Sequence, residues 1–191
     1  MMKFIIVLFI TALITVSFGT VIKKQKGDSQ KELTSPVVAG TSNASNPSIS
    51  GWPVFVNNYY GYKIKHPSEL SIKNQRNGDV SLVKEKSVNI FITQDTLSEN
   101  ETINTTIEKN IDKKKAELGE KFRLIYPISP IALGLETAQT YTSEENGQRS
   151  TYYYVPQKNG KFLLITNYSP SDGETDYLVS EDIIYSLEFF P

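Results

Sequence analysis

The chain has 191 residues, no cysteine, a single histidine and a formal net charge of -1. That composition excludes a disulfide framework, a thiolate nucleophile, a cysteine-ligated zinc or iron–sulfur centre and a histidine-rich metal site. Near-neutral charge argues against a nucleic-acid binder held by phosphate contacts, and the length suits one domain plus an extension.

The charge is unevenly spread. Residues 1–50 carry five lysines against Asp28 and Glu32, net +3, whereas residues 51–191 carry 15 basic and 19 acidic side chains, net -4. Every tyrosine and the only tryptophan lie after residue 50. The chain therefore divides into a head, a tether and a domain.

The head opens with Met1-Met2-Lys3 and runs uncharged from Phe4 to Ile22, where Lys23-Lys24 end it. As a helix this run spans roughly 28 Å, close to a bilayer's hydrocarbon thickness, and it has no polar face. An N-terminal hydrophobic helix is expected, with residues 1–22 a signal peptide or a membrane anchor. Phe4 to Val16 suits a signal core and Ser17-Phe18-Gly19 a cleavage site; the full run suits an anchor. Lys23, Lys24 and Lys26 oppose an N-inside orientation. Export is nevertheless expected, because a tether and a domain follow. Residues 23–50 are rich in Ser, Thr, Asn, Gly and Pro without apolar period, as in a flexible linker.

The domain, 51–191, begins with a short extended run at Trp52–Val56. From Tyr59 to Pro67, Tyr62, Ile64 and His66 alternate with Gly61, Lys63 and Lys65, as in a strand with one buried face. Leu70–Lys73 is a further short piece and Asn77-Gly78-Asp79 a turn. Val80–Lys84 and Ser87–Thr93 read as a hairpin. Ile103, Ile107, Ile111 and Leu118 then lie along one side of a helix. Ser98 or Asn100 is its expected cap, and Lys113-Lys114-Lys115 with Gly119 mark its end.

Strand composition returns at Phe122–Tyr126. Ile131–Thr142 reads as one longer strand with Gly134 as a bulge. Turns at Glu144–Gly147 and Lys158–Lys161 frame a return strand, Gln148–Val155. Phe162–Tyr168 is the most apolar run, expected at the sheet centre and covered on both faces. Glu174–Leu187 is a second helix, and Glu188–Pro191 an added extended piece. Hairpin-linked strands with two inserted helices mean α+β: a mostly antiparallel sheet of about six to seven strands with helices packed on it.

Tyr60-Gly61-Tyr62-Lys63-Ile64-Lys65-His66-Pro67-Ser68 resembles the opening of PsbP-like domains, whose first strand reads roughly Tyr-Gly-Phe-Ser-Phe-x-Tyr-Pro. His66 stands where that pattern has tyrosine, and Leu70 lies near a tryptophan position. The order of elements over residues 52–190 is similar too. The resemblance implies an α/β/α sandwich. Photosynthetic members are extrinsic lumenal proteins of photosystem II that support calcium and chloride retention. No functional residue of the family is matched here.

Four features could carry chemistry. His66 is the sole histidine, but no Gly-x-Ser-x-Gly elbow accompanies it, and a structural role is expected. Asp172, Glu174 and Asp176 suit a helix start; calcium, a hard cation, is their alternative as oxygen ligands. Tyr152-Tyr153-Tyr154 with Tyr59, Tyr60, Tyr62 and Tyr141 could form an aromatic face for sugar or peptide, half of it core. Lys113–Lys115 reads as a solvated helix end or a contact for anionic lipid. The functional expectation is an exported, non-enzymatic binding or assembly-supporting module. It is membrane-associated through residues 4–22, has a possible envelope protein partner, and binds no nucleic acid. The alternatives are a secreted hydrolase or metal-dependent enzyme, and a carrier of a small apolar ligand.

Overall fold

The computed structural model describes residues 49–75, 77–84, 88–169 and 174–190, of which 169 and 174–178 are described by backbone alone. The hydrophobic head and most of the linker lie outside the described residues. Ten strands and two helices follow one another: β1 (Val54–Asn57), β2 (Tyr62–Lys65), β3 (Ser71–Asn74), β4 (Val80–Lys84), β5 (Val88–Thr96), α1 (Ile103–Leu118), β6 (Phe122–Leu133), β7 (Glu136–Glu145), β8 (Gln148–Pro156), β9 (Lys161–Ser169), α2 (Glu174–Tyr185) and β10 (Glu188–Phe189).

They build two sheets, one of seven strands in the order β3-β4-β5-β9-β8-β7-β6 and one of three in the order β1-β2-β10. All pairings are antiparallel. The α+β class is as the hairpin spacing implies; the second sheet is not legible from it.

Alternation along β9 explains the two cores. Leu163 and Ile165 face one side, Phe162 and Leu164 the other. On the first side they meet Ile90, Ile92, Leu133, Ile183, Ile184 and Leu187, with Tyr62 and Ile64 from the small sheet. On the second they meet Ile107 and Ile111 of α1, with Phe122, Tyr141, Tyr152 and Tyr154. Each fully buried Leu or Ile contributes roughly 1.5–3 kcal/mol by leaving water. The expected central, two-face-covered strand is therefore β9.

Local chemistry moves several boundaries. β2 starts at Tyr62 rather than Tyr59, because Asn57 Oδ1 accepts from the amides of Tyr59 and Tyr60, both at 3.0 Å, and folds that stretch into a turn. α1 is capped by Thr102, not by Ser98 or Asn100: Thr102 and Thr105 exchange side-chain-to-backbone hydrogen bonds in a capping box. Asn100 instead takes φ 64° in the preceding turn.

Gly134 is not a bulge within one strand. It opens the loop between β6 and β7, at φ 61°, and the next residue, Leu135, is fully exposed. A two-residue hairpin loop needs positive φ at its first position, which glycine supplies. The sequence pattern hides the turn because apolar alternation runs through Leu133 and Leu135 unbroken. β6 also continues past Tyr126. Pro127 and Pro130 are accommodated because β6 is an edge strand with register shifts between Leu124 and Tyr126 and between Tyr126 and Ser129.

Candidate functional site

One groove opens where β1, β2, β4, β5 and α2 converge. It encloses about 250 Å³ and is lined by Trp52, Pro53, Pro67, Glu69, Lys84 and Val179 among others. Backbone bonds shape it: His66 N donates to Pro53 O at 3.1 Å, and Leu70 N to Pro67 O at 3.2 Å. Trp52 and Val179 pack partly buried on the larger core. Glu69 and Lys84 pair across the rim at 3.3 Å. A backbone hydrogen bond from its own residue, and then Lys84, hold the Glu69 carboxyl below its ordinary range. The groove is half apolar with one ion pair, which suits a peptide or side-chain contact better than chemistry. A second, wider depression of about 500 Å³ lies by the β7–β8 hairpin, lined by Glu120, Lys121, Arg123, Glu144, Asn146 and Gly147.

A heavily hydrogen-bonded, half-buried carboxylate lies under α1. Glu145 accepts from Lys114 Nζ at 2.8 and 2.7 Å, from Ser143 Oγ at 2.7 Å and from Tyr152 OH at 2.7 Å. Lys114 Nζ also donates to Tyr152 OH at 2.8 Å and sits 4.6 Å from that ring's centroid. Burial alone would raise the Glu145 pKa; the hydrogen bonds from Lys114, Tyr152 and Ser143 outweigh it and lower it. Tyr141 stacks on Tyr152 at 4.7 Å, and Tyr154 on Phe162 at 5.5 Å. Asn110 of α1 donates to Tyr154 OH at 3.1 Å. The cluster clamps the helix to the sheet. Its sequence signal is a lysine at the spacing of the Ile107–Ile111 stripe, a charge on an apolar line.

A third cluster fixes the turn before β4. Tyr60 OH donates to Asp79 at 2.7 Å and to Asn77 O at 2.9 Å. Burial, then the Asp79 carboxylate, push the Tyr60 pKa up to about 12.

The singled-out residues now have places. His66 is half-buried, and its Nδ1 lies 2.8 Å from Pro67 O. No carboxylate or hydroxyl hydrogen-bonds its ring among the described residues. Asp172 lies outside the described residues, as do the side chains of Glu174 and Asp176. Among the described residues, no group of three or more His, Asp or Glu is placed to hold a metal. The tyrosines do not form an aromatic face: Tyr60, Tyr62, Tyr141, Tyr152, Tyr153 and Tyr154 are buried in the two cores or at their margins, and of the set Tyr59 alone is exposed. The lysine run is paired rather than free. Lys113 meets Glu117 at 3.9 Å, Lys114 meets Glu145, and Lys115 meets Asp112 at 3.5 Å. Among the described residues, no helix is long and apolar enough to cross a membrane.

No family model and no curated protein matches the sequence. Solved structures do. The chain is similar to cyanobacterial PsbP (CyanoP) from Synechocystis sp. PCC 6803, at TM-score 0.56 and 10% identity over 78% of this chain and 99% of that one. A Bacteroides thetaiotaomicron structure matches at TM-score 0.42 and 12% identity over 72% of this chain and 48% of that one. LpqN of Mycobacterium tuberculosis, described as involved in cell envelope biogenesis, matches at TM-score 0.42 and 15% identity over 74% and 86%. The likeness to CyanoP, together with the two-sheet, two-helix architecture, gives the chain a PsbP-like fold.

Proposed function

We propose that this protein is an exported, membrane-tethered and non-enzymatic module of the cell envelope that binds or supports another envelope component. One observation carries the reading: the best-placed buried carboxylate and the one histidine are both engaged in structural hydrogen bonds. Glu145 holds three hydrogen-bond donors, and the one histidine turns Nδ1 to a backbone carbonyl. The groove that remains open presents Trp52, two prolines and Ser68, and no histidine lines it to activate that hydroxyl. The uncharged run 4–22 and the polar linker that follows support export and tethering.

The test is to express the full chain with a C-terminal tag, fractionate the cells and add protease from outside. Membrane-bound, externally cleaved protein is expected. Soluble cytoplasmic protein with an intact N-terminus would overturn the reading. Turnover of ester, peptide or phosphoester substrates that is lost in His66→Ala would overturn its non-enzymatic part.

A further inference from the structure

We propose that the outer face of the β1-β2-β10 sheet is a docking surface for an anionic lipid bilayer. The inference rests on the tethered reading above. Val54 and Val56 are 49% and 47% exposed and project to the same side of β1. Their cross-strand partners are Lys65 and Lys63. Tyr62 and Ile64 point the other way into the core. Lys63 pairs with Glu188 at 2.8 Å, whereas Lys65 has no carboxylate partner among the described residues. Tyr59, 69% exposed, stands just past the strand. Tyrosine and lysine are side chains that settle at a headgroup boundary, and the two valines add apolar area beside them.

The sheet edges point the same way. An exposed strand edge is usually blunted by charge, proline or brevity. β3 carries Lys73, β6 carries Pro127 and Pro130, and β10 has two residues. β1 reads Val-Phe-Val-Asn, four residues with neither charge nor proline. Chain path names the occupant. The polar linker, residues 23–48, joins the apolar run 4–22 to Ile49, shortly before Val54. A Gly/Ser-type chain of that length spans roughly 25–30 Å, so the sequence allows β1 to reach the surface that would hold the head. Charge bears on orientation: residues 51–191 are net -4, so an anionic bilayer repels the domain as a whole, and Lys63 and Lys65 give this face the positive charge that an approach needs.

The lack of cysteine supplies the test. Val56→Cys and, far away on α1, Glu117→Cys each carry a unique thiol for an environment-sensitive nitrobenzoxadiazole probe. The full chain is reconstituted into phosphatidylcholine vesicles with and without phosphatidylglycerol. The probe at 56 is expected to shift to the blue and to be quenched by a lipid-borne quencher in anionic vesicles, and the probe at 117 to do neither. Lys65→Glu should weaken the effect. Val54→Cys repeats the measurement should the label at 56 disturb folding. A water-exposed probe at both 54 and 56 on vesicle-bound protein overturns the proposal. Protein left unbound in the supernatant sinks the tether instead. A blue shift that follows protein density but not lipid charge assigns the face to a second copy, and also overturns it.

Discussion

Lys114 Nζ lies 2.7 Å from a carboxylate oxygen of Glu145, and the two side chains are only 27% and 16% exposed. One comes from the C-terminal half of α1 and the other from the end of β7. With Tyr152 between them, they form the polar end of an otherwise apolar interface.

Removing one partner of such a pair strands the other. Lys114→Met leaves the Glu145 carboxylate with its hydroxyl donors but no counter-charge. The expected loss is about 2 kcal/mol of unfolding free energy, read by urea titration. In a double-mutant cycle with Glu145→Gln, the second substitution should cost clearly less in the Lys114→Met background than in the parent.

The same pair sets an acid limit. Glu145 has a folded pKa below its ordinary value near 4.5. A carboxyl depressed on folding contributes stability above its unfolded pKa and loses it as pH falls through the folded value. Stability of the parent should therefore decline below about pH 4.5, and Glu145→Gln should flatten that decline. Equal acid slopes for parent and variant would show that Glu145 is not the group responsible.

The β6–β7 turn is tested by alanine. A Cβ at Gly134 would come within 2.9 Å of the Leu187 carbonyl oxygen, on a backbone at φ +61°. Gly147 has φ +80° with nothing within 4 Å of such a Cβ. Gly147→Ala should cost about 1 kcal/mol from conformation alone. Gly134→Ala should cost roughly 2–3 kcal/mol, because steric conflict with the chain end is added. Thermal melts of the two variants measure the difference.

Asp172, Glu174 and Asp176 are expected to act as helix-starting carboxylates. Millimolar calcium should then leave the melting temperature of the full chain unchanged. A calcium-dependent rise, abolished in Asp172→Asn, would make them a cation site.

Much of this was legible locally. The 3.6-residue spacing of Ile107 and Ile111 marks the face of α1 that is buried. The unbroken apolar run at Phe162–Ile165 marks β9 as central, since only a strand covered on both sides buries consecutive residues. Where two local signals compete, the sequence is ambiguous. Leu133, Gly134 and Leu135 keep strand alternation across a turn, and Ser98, Asn100 and Thr102 are comparable caps by residue type, so only the Thr102–Thr105 geometry distinguishes them. For the candidate site, Lys114 was visible as a lysine but not as Glu145's partner.

The sequence by itself determined the absence of cysteine chemistry, the contrast between a basic apolar head and an acidic aromatic domain, and the order of strands and helices. These follow from composition and from periods of two and 3.6 residues, which any short window contains. Only the tertiary structure decided that β10, at the end of the chain, joins β1 and β2 in a separate sheet through Phe189 and Tyr62. It also decided that Tyr62, Tyr141, Tyr152, Tyr153 and Tyr154 are interior and that Lys114 is paired. Such pairings join residues far apart in the chain. They depend on which sheet edges and helix faces meet, and no local pattern carries that information.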